Sequence, residues 1–305
     1  MRVGAVVPYW LGRPAEEALE VVRVAERASL DEVWIGEMLS YDAFALAGAA
    51  AVATSSIRLV VGPLPVTVRT PVGIAMGVAG LQALAGADRV GLALGASTAA
   101  VAAGWHGREW DRLPGRMAAT LDVVRSVLAG ERTDHRGLAP SHGFRLGIPA
   151  AVPEIGVAAF GPRMRAVAAE AGDRLVLNIV TPDAVADLVG DLPTTVWVTA
   201  GLEPSAEAMA GLRRQLALYL AAPGYGEMLA RAGFGDLVDE ARSGAPVSEL
   251  ARRMPADLPM VVGAIGSAAD VRAALERYEA AGAETVALVP MTWDDPAGER
   301  LFAAV

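Results

Sequence analysis

Residues 57–95 read IRLVVGPLPVTVRTPVGIAMGVAGLQALAGADRVGLALG. The stretch opens on one continuous apolar run, Ile57–Gly62, and closes on another, Arg89–Gly95. Runs without polar alternation suit parallel strands covered on both faces, because a strand with one wet face alternates. Between Arg69 and Asp88 there is no charged residue. That segment begins with Pro71, where a helix tolerates proline, holds Gln82 and is rich in Ala and Gly. It reads as a helix buried against a sheet rather than as a membrane span. The whole stretch is therefore one β–α–β unit.

Working outward, the same unit recurs. Strands are expected near Arg2–Pro8, Glu32–Gly36, Ile57–Gly62, Arg89–Gly95, Glu154–Ala158, Arg174–Ile179, Thr194–Thr199 and Glu284–Val289. Helical stretches lie between them. Ala15–Ala28 gathers Ala18, Leu19, Val22 and Ala25 on one side. Pro162 and Pro182 also fall at helix starts. Eight such units predict a closed (β/α)8 TIM barrel in a single domain, residues 1–305. A doubly wound sheet requires a glycine-rich phosphate loop after the first strand. Here that strand ends Pro8-Tyr9-Trp10, and the glycines of Gly91–Gly95 belong to a strand. Two stretches, Gly130–Pro153 and Pro223–Pro259, break the pattern and read as insertions at the C-terminal face of the strands, where barrels carry lids and specificity loops.

Composition narrows the chemistry. The formal net charge is −9, with scattered arginines and no basic stripe, which argues against nucleic acid as a partner. With no cysteine there is no thiolate nucleophile, disulfide or Cys-bound metal. All 26 basic residues are arginine, so chemistry that needs a lysine amine is excluded. The three histidines, His106, His135 and His142, form no paired metal-binding motif, and no metal is expected. The N-terminus lacks a basic region and a cleavage site of the secretory kind, so a cytoplasmic protein with no membrane partner is expected.

Barrel active sites lie at the strand C-terminal ends. Those ends hold Tyr9 and Trp10, Glu37, Gly62-Pro63, Ser97-Thr98, Ala158–Gly161, Asn178, Thr199 and Pro290–Trp293. This set is aromatic, small and weakly charged, and suits a flat ring cofactor. A glycosidase needs two close carboxylates. The candidates are Glu37, Glu203, Asp294 and Asp295, while the fourth strand ends in Ala and Ser. Phe160-Gly161-Pro162-Arg163 opens a helix whose N–H groups suit an anion, although the same pattern also serves as an ordinary turn. Gly62-Pro63-Leu64-Pro65 stiffens its strand exit and admits a cis bond. Trp105-His106-Gly107 with Trp110 can cover a ring or offer a proton; equally, the indoles can pack a helix. Tyr9, Trp10, Phe44, Trp105 and Trp293, with Asn178, are expected to form a pocket for a small, partly apolar substrate.

Taken in order, these segments resemble the bacterial luciferase-like monooxygenase superfamily, in particular its branch that uses the deazaflavin coenzyme F420. The matching stretches are Gly4–Trp10, Val33–Glu37, Ile57–Gly62, Arg69–Pro71 and Gly86–Ser97, then Trp105–Gly107 with Trp110. Ala158–Met164, Ala171–Asp173, Gly263–Ser267 and Tyr278–Gly282 complete the set. The resemblance implies a cis-peptide bulge at Gly62-Pro63 under the cofactor ring. It also implies a cradle for the cofactor tail and phosphate from Ser97, Thr98, Ala158, Ala159, Phe160, Gly161, Pro162 and Arg163. Some relatives carry an Asp followed by a catalytic His where this chain has Glu37-Met38, so alcohol oxidation of that type is not implied. What is implied is an F420-dependent oxidoreductase working as a reductase on a C=C, C=N or C=O bond, with the proton from water, Glu37, Tyr9 or His106. The alternatives are an FMN-dependent monooxygenase and a catalytically idle cofactor-binding barrel. A homodimer is implied as well.

Overall fold

The computed structural model describes residues 1–8, 14–37 and 41–305. Eight strands lie in chain order: β1 (Arg2–Val6), β2 (Glu32–Ile35), β3 (Arg58–Pro65), β4 (Val90–Gly95), β5 (Ile155–Ala158), β6 (Arg174–Asn178), β7 (Thr194–Leu202) and β8 (Thr285–Pro290). Each pairs in parallel with the next, β8 pairs with β1 and with β7, and β6 pairs with β7, so the sheet closes on itself. This is the expected (β/α)8 barrel, and every expected strand is present.

Helices α1 (Ala15–Arg27), α2 (Ala43–Ala53), α3 (Pro71–Ala85), α4 (Leu113–Leu128), α5 (Pro162–Ala171) and α6 (Pro182–Leu188) follow the first six strands. Their starts are set locally. Asp42 accepts from Ala45 N at 2.9 Å, Thr70 from Gly73 N at 3.2 Å and Thr181 from Ala184 N at 3.1 Å, each satisfying an orphan donor of the first turn. The uncharged stretch is α3, which buries Ile74, Ala75, Val78, Ala79, Leu81 and Gln82. Gln82 exchanges two hydrogen bonds of 2.9 Å with the backbone of Ala151, which ties the first insertion to the barrel wall. That insertion carries the short hairpin Asp134–His135 with Ser141–His142. The second contains short helices that include Tyr225–Leu229, Gly235–Arg242 and Val247–Arg253.

Two departures from the sequence reading have local causes. β3 runs on to Pro65, because a register shift between Val61 and Leu64 lets it resume pairing with β4 beyond the bulge. An unexpected strand, Gly263–Gly266, pairs with the outer part of β7, Thr199–Leu202. Two of its four residues are glycine, so it carries little apolar signal.

The barrel interior is layered. At the strand starts lies a balanced ionic cluster of Arg2, Arg58 and Arg174 with Glu32, Glu154 and Glu284. Arg174 is 2% exposed. It donates to Glu154 at 2.5 Å, to Glu284 at 3.2 Å and to the hydroxyls of Thr195 and Thr285 at 3.1 and 3.4 Å. Burial works to raise the Glu154 carboxyl, but Arg174 and Arg58 outweigh it and hold it below the usual carboxylate range. Above this cluster sits a separate apolar layer of Val6, Val60, Ala93, Val176, Ala287 and Val289 around Trp34 and Trp197. The larger core lies between the sheet and the helices.

Candidate active site

At the C-terminal ends of the strands the interior opens into a cavity of about 390 Å³, within the range of small-molecule sites. Its floor is Trp197, which meets Trp34 edge-on with ring centroids 5.7 Å apart. The Trp34 indole N–H donates to Glu32 at 2.7 Å, so the floor is hydrogen-bonded to the ionic cluster beneath. Trp197 fits under the β2 exit because residue 36 is glycine; a Cβ there would lie 3.1 Å from the indole edge.

One wall comes from β2 and β3. Glu37 accepts two hydrogen bonds from Arg69 Nε, at 2.9 and 2.7 Å, and a further bond from its Nη2. Arg69 also bonds Asp42 and lies over the Phe44 ring, 5.4 Å from its centroid. These contacts, the Glu37 hydrogen bond foremost, raise the Arg69 pKa. Asp42 is held low by the Ala45 N–H and Arg69, against a burial effect of opposite sign. Next to this group the Gly62–Pro63 peptide is cis. Gly62 has φ +119°, and a Cβ on it would fall 2.1 Å from the Ala93 carbonyl oxygen, so only glycine fits. Pro63 and Pro65 present their rings to the cavity.

The β4 exit continues as Gly95, Ala96, Ser97 and Thr98. Ser97 is left-handed (φ +57°), and Thr98 Oγ1 accepts from Val101 N at 3.3 Å. This starts a wide helical turn, Ala100–Trp105, of the π type often found at functional sites. Trp110 pins the exit by sharing its indole N–H between the carbonyls of Ala96 and Ser97, both at 3.3 Å. Trp105, 58% exposed, and His106 form the rim.

The opposite wall is Ala158, Ala159 and Phe160 at the β5 exit and Asn178 at the end of β6. Beyond Phe160, Gly161 precedes α5 in an extended conformation (φ −72°, ψ 154°). No atom lies within 4 Å of the position its Cβ would take. Two tyrosines, Tyr219 and Tyr225, complete this wall. Tyr225 packs on Phe160 and on Tyr219, with both centroid distances 5.2 Å. Burial pushes both phenols above the ordinary tyrosine value.

The structure thus brings together Glu37, Pro63, Ser97, Thr98, Trp105, His106, Ala158, Ala159, Phe160 and Asn178 around one cavity, with Gly62 in the bulge. Gly161, Pro162 and Arg163 continue from Phe160 into the start of α5, Arg163 being exposed. Tyr9, Trp10 and Met38 lie outside the described residues. Two expected pocket residues are corrected. Phe44 is turned against α3, where a Cβ on Gly77 would meet its ring at 2.5 Å, and it serves Arg69. Trp293 packs against Gly211. Neither is among the described residues of this cavity's wall, although Trp293 also packs on the apolar layer that contains Trp197. Three of the four acids weighed for glycosidase chemistry are otherwise engaged: Glu37 with Arg69, Asp294 accepting from Ser205 N at 2.7 Å, and Asp295 from Arg300 N and Leu301 N at 3.0 and 2.9 Å. Sequence reasoning missed Trp197, Tyr219, Tyr225 and the Arg69 partnership. The one available signal was the tyrosine pair flanking Pro223-Gly224 at the edge of an insertion.

A closed parallel barrel with an apolar cavity at the C-terminal ends of its strands has the general form of a small-molecule binding enzyme scaffold. The chain belongs to the luciferase-like monooxygenase family, whose model matches residues 1–285. A protein of Mycobacterium tuberculosis, provisionally named a coenzyme F420-dependent oxidoreductase, is 28% identical over 92% of this chain and 93% of its own length. Among solved structures, the coenzyme F420-dependent tetrahydromethanopterin reductase of Methanopyrus kandleri superposes with a TM-score of 0.83 at 16% identity, covering 100% of this chain and 97% of that one. The oxygenating constituent of a diketocamphane monooxygenase from Pseudomonas putida, solved with FMN, gives 0.70 at 19% identity over 100% and 96%. Among the described residues no helix is long and apolar enough to cross a membrane, and no group of three or more metal-ligating side chains is present.

Proposed function

We propose that this protein is an F420-dependent oxidoreductase acting as a reductase on a small, partly apolar metabolite with a C=C, C=N or C=O bond. The observation that carries the reading is the start of α5. Gly161 is glycine although its backbone conformation suits any residue and no protein atom occupies the space beside it. A ligand explains that opening: the backbone approaches an anionic group closely, and the helix N-terminus favours the negative charge. The cavity that leads to it offers flat, apolar surfaces in Pro63, Phe160 and Trp197 for a fused ring. Ser97, Thr98, Ala158, Ala159, Phe160, Gly161, Pro162 and Arg163 would hold the tail and phosphate, with Gly62 and Pro63 beside the ring. When bound, the deazaflavin supplies the two-electron chemistry, and the protein supplies orientation and the exclusion of water. Glu37 is committed to Arg69, so it acts by fixing that wall, and the proton for the second atom comes from His106, Tyr9 or water. Relatives named for F420 in two organisms support the cofactor assignment.

A second reading, FMN-dependent oxygenation, is favoured by the FMN-bound neighbour, since a helix start accepts either phosphate. Parallel titrations with oxidised F420 and FMN, followed through tryptophan fluorescence, test the two. Preferential F420 binding without oxygen consumption supports the reductase. Preference for FMN with oxygen uptake replaces it, and binding of neither removes both. We further infer a cytoplasmic homodimer: α2 and α3 carry no charged residue and expose Val52, Met76 and Leu84, a surface suited to a second copy.

A further inference from the structure

The two tyrosines raise a separate question. Among the described residues, neither the Tyr219 nor the Tyr225 hydroxyl has a hydrogen-bond partner, yet both residues line the cavity and are largely withdrawn from solvent. Neither hydroxyl is among the buried polar atoms left unpaired, so each is open to the cavity space and within reach of a bound molecule. Phenylalanine would pack on Phe160 equally well, so the packing does not account for the hydroxyls. The surrounding charge is also informative. No arginine lines the cavity among the described residues, and Arg69, next to it, is already matched by Glu37 and Asp42. Among the described residues, an anionic substrate would therefore shed its hydration with no arginine free to receive it. Asn178, on the same wall, adds a neutral amide.

We propose that the Tyr219 and Tyr225 hydroxyls are the donors that select the substrate, and that the substrate is an uncharged carbonyl compound whose oxygen accepts from them. The proposal rests on the reductase reading and narrows it from three bond types to one. The phenols stay protonated because burial disfavours phenolate, so they donate at any physiological pH. Asn178 serves as a third neutral contact.

The test uses the full chain, both cofactor-free and loaded with oxidised F420. Ligand-observed NMR measures the affinity of cyclohexanone and of the same ring carrying a carboxylate, for the wild type and for Tyr219→Phe, Tyr225→Phe and the double variant. Each lost hydroxyl is expected to weaken cyclohexanone roughly three- to tenfold, as for a neutral hydrogen bond. F420 affinity should stay within twofold, and the carboxylated ring should bind more weakly than the neutral one. Thermal unfolding of each variant checks that the cavity is intact. The proposal is overturned if the variants lose F420 rather than ketone, which would give the tyrosines to the cofactor tail. Tighter binding of the carboxylate, or no ketone binding by the wild type, overturns it too. Failure of F420 to bind defeats the cofactor reading alone, because the ketone series on cofactor-free protein still decides the role of the tyrosines.

Discussion

Replacing Gly161 with valine separates a structural glycine from a ligand-facing one. A glycine kept for its backbone has a positive φ or a crowded Cβ position, and one at a helix N-cap, as Gly161 is, contributes about 1 kcal/mol at most. Gly161 has neither, with φ −72° and open space to 4 Å. The substitution removes no packing contact but puts valine at the N-cap of α5, where glycine is preferred, so folding stability is expected to fall by about 0.5–1 kcal/mol. Binding should respond differently. The added side chain holds an anionic group away from the start of α5 and forfeits one charge-assisted hydrogen bond, about 1.5–3 kcal/mol. That corresponds to a loss of roughly 10- to 150-fold in F420 affinity. Alanine should fall between glycine and valine, because its methyl fills less of the opening. The assay pairs urea unfolding, followed by circular dichroism, with fluorescence titration of F420. An unchanged affinity would remove the anion site. A stability loss above about 2 kcal/mol, more than the helix cap accounts for, would show that Gly161 is needed by the fold and that the reasoning from open space was mistaken.

The floor and walls yield further expectations. Arg174→Met should cost about 1–3 kcal/mol, because it removes the shared buried partner of Glu154 and Glu284, which keep only Arg58 and Arg2 and are partly open to solvent; calorimetry would show it, and no measurable loss would mean that water or rearrangement supplies the missing charge. In the wild type the Glu154 carboxyl is depressed on folding, so its contribution is present above its unfolded value near 4.5 and is lost as pH falls through the lower folded value. The Arg174→Met protein should accordingly show a flatter acid limb in stability measured from pH ~5 downward. Gly62→Ala should destabilise by several kcal/mol or prevent folding, since φ is +119° and the Cβ would overlap the Ala93 carbonyl; normal unfolding behaviour would contradict the bulge geometry. Glu37→Gln should lower stability by about 1–2 kcal/mol and show a coupling of at least ~0.5 kcal/mol with Arg69→Met in a double-mutant cycle. Additive effects would deny that the pair acts as a unit.

How much of this was legible in the sequence follows a physical division. Strand identity was, because a strand buried on both faces must be apolar throughout, and runs such as Arg89–Gly95 have no other use in a chain of this composition. The same property concealed which residues face inward. Trp197 sits in the middle of such a run, and no alternation distinguishes the inner face of β7 from the outer, so the cavity floor was invisible. Phe44 and Trp293 were placed in the pocket because aromatic residues beyond strand ends usually gather there. α3 took Phe44 through the space at Gly77, and Gly211 took Trp293. Glycine positions that accept a neighbouring ring carry no mark in a single sequence. The Glu37–Arg69 pair spans 32 residues and forms only when β2 and β3 align. Tyr219 and Tyr225 reach the cavity through an insertion whose path depends on Phe160, a tertiary contact with no local signature.

The column beneath the cavity, from the charged cluster through Glu32 and Trp34 to Trp197, has a consequence for how such a barrel can diversify. Its members are interlocked across β2, β5, β6, β7 and β8, so none can be exchanged without disturbing several strands. The depth of the chamber is therefore fixed from below, like a vessel with a cast base. Ligands of different bulk have to be accommodated at the brim, where the Ala100–Trp105 turn and the segment bearing Tyr219 and Tyr225 are held by few contacts to the barrel itself. Tailoring this scaffold to a new substrate is then a matter of rebuilding the brim around a base that stays the same.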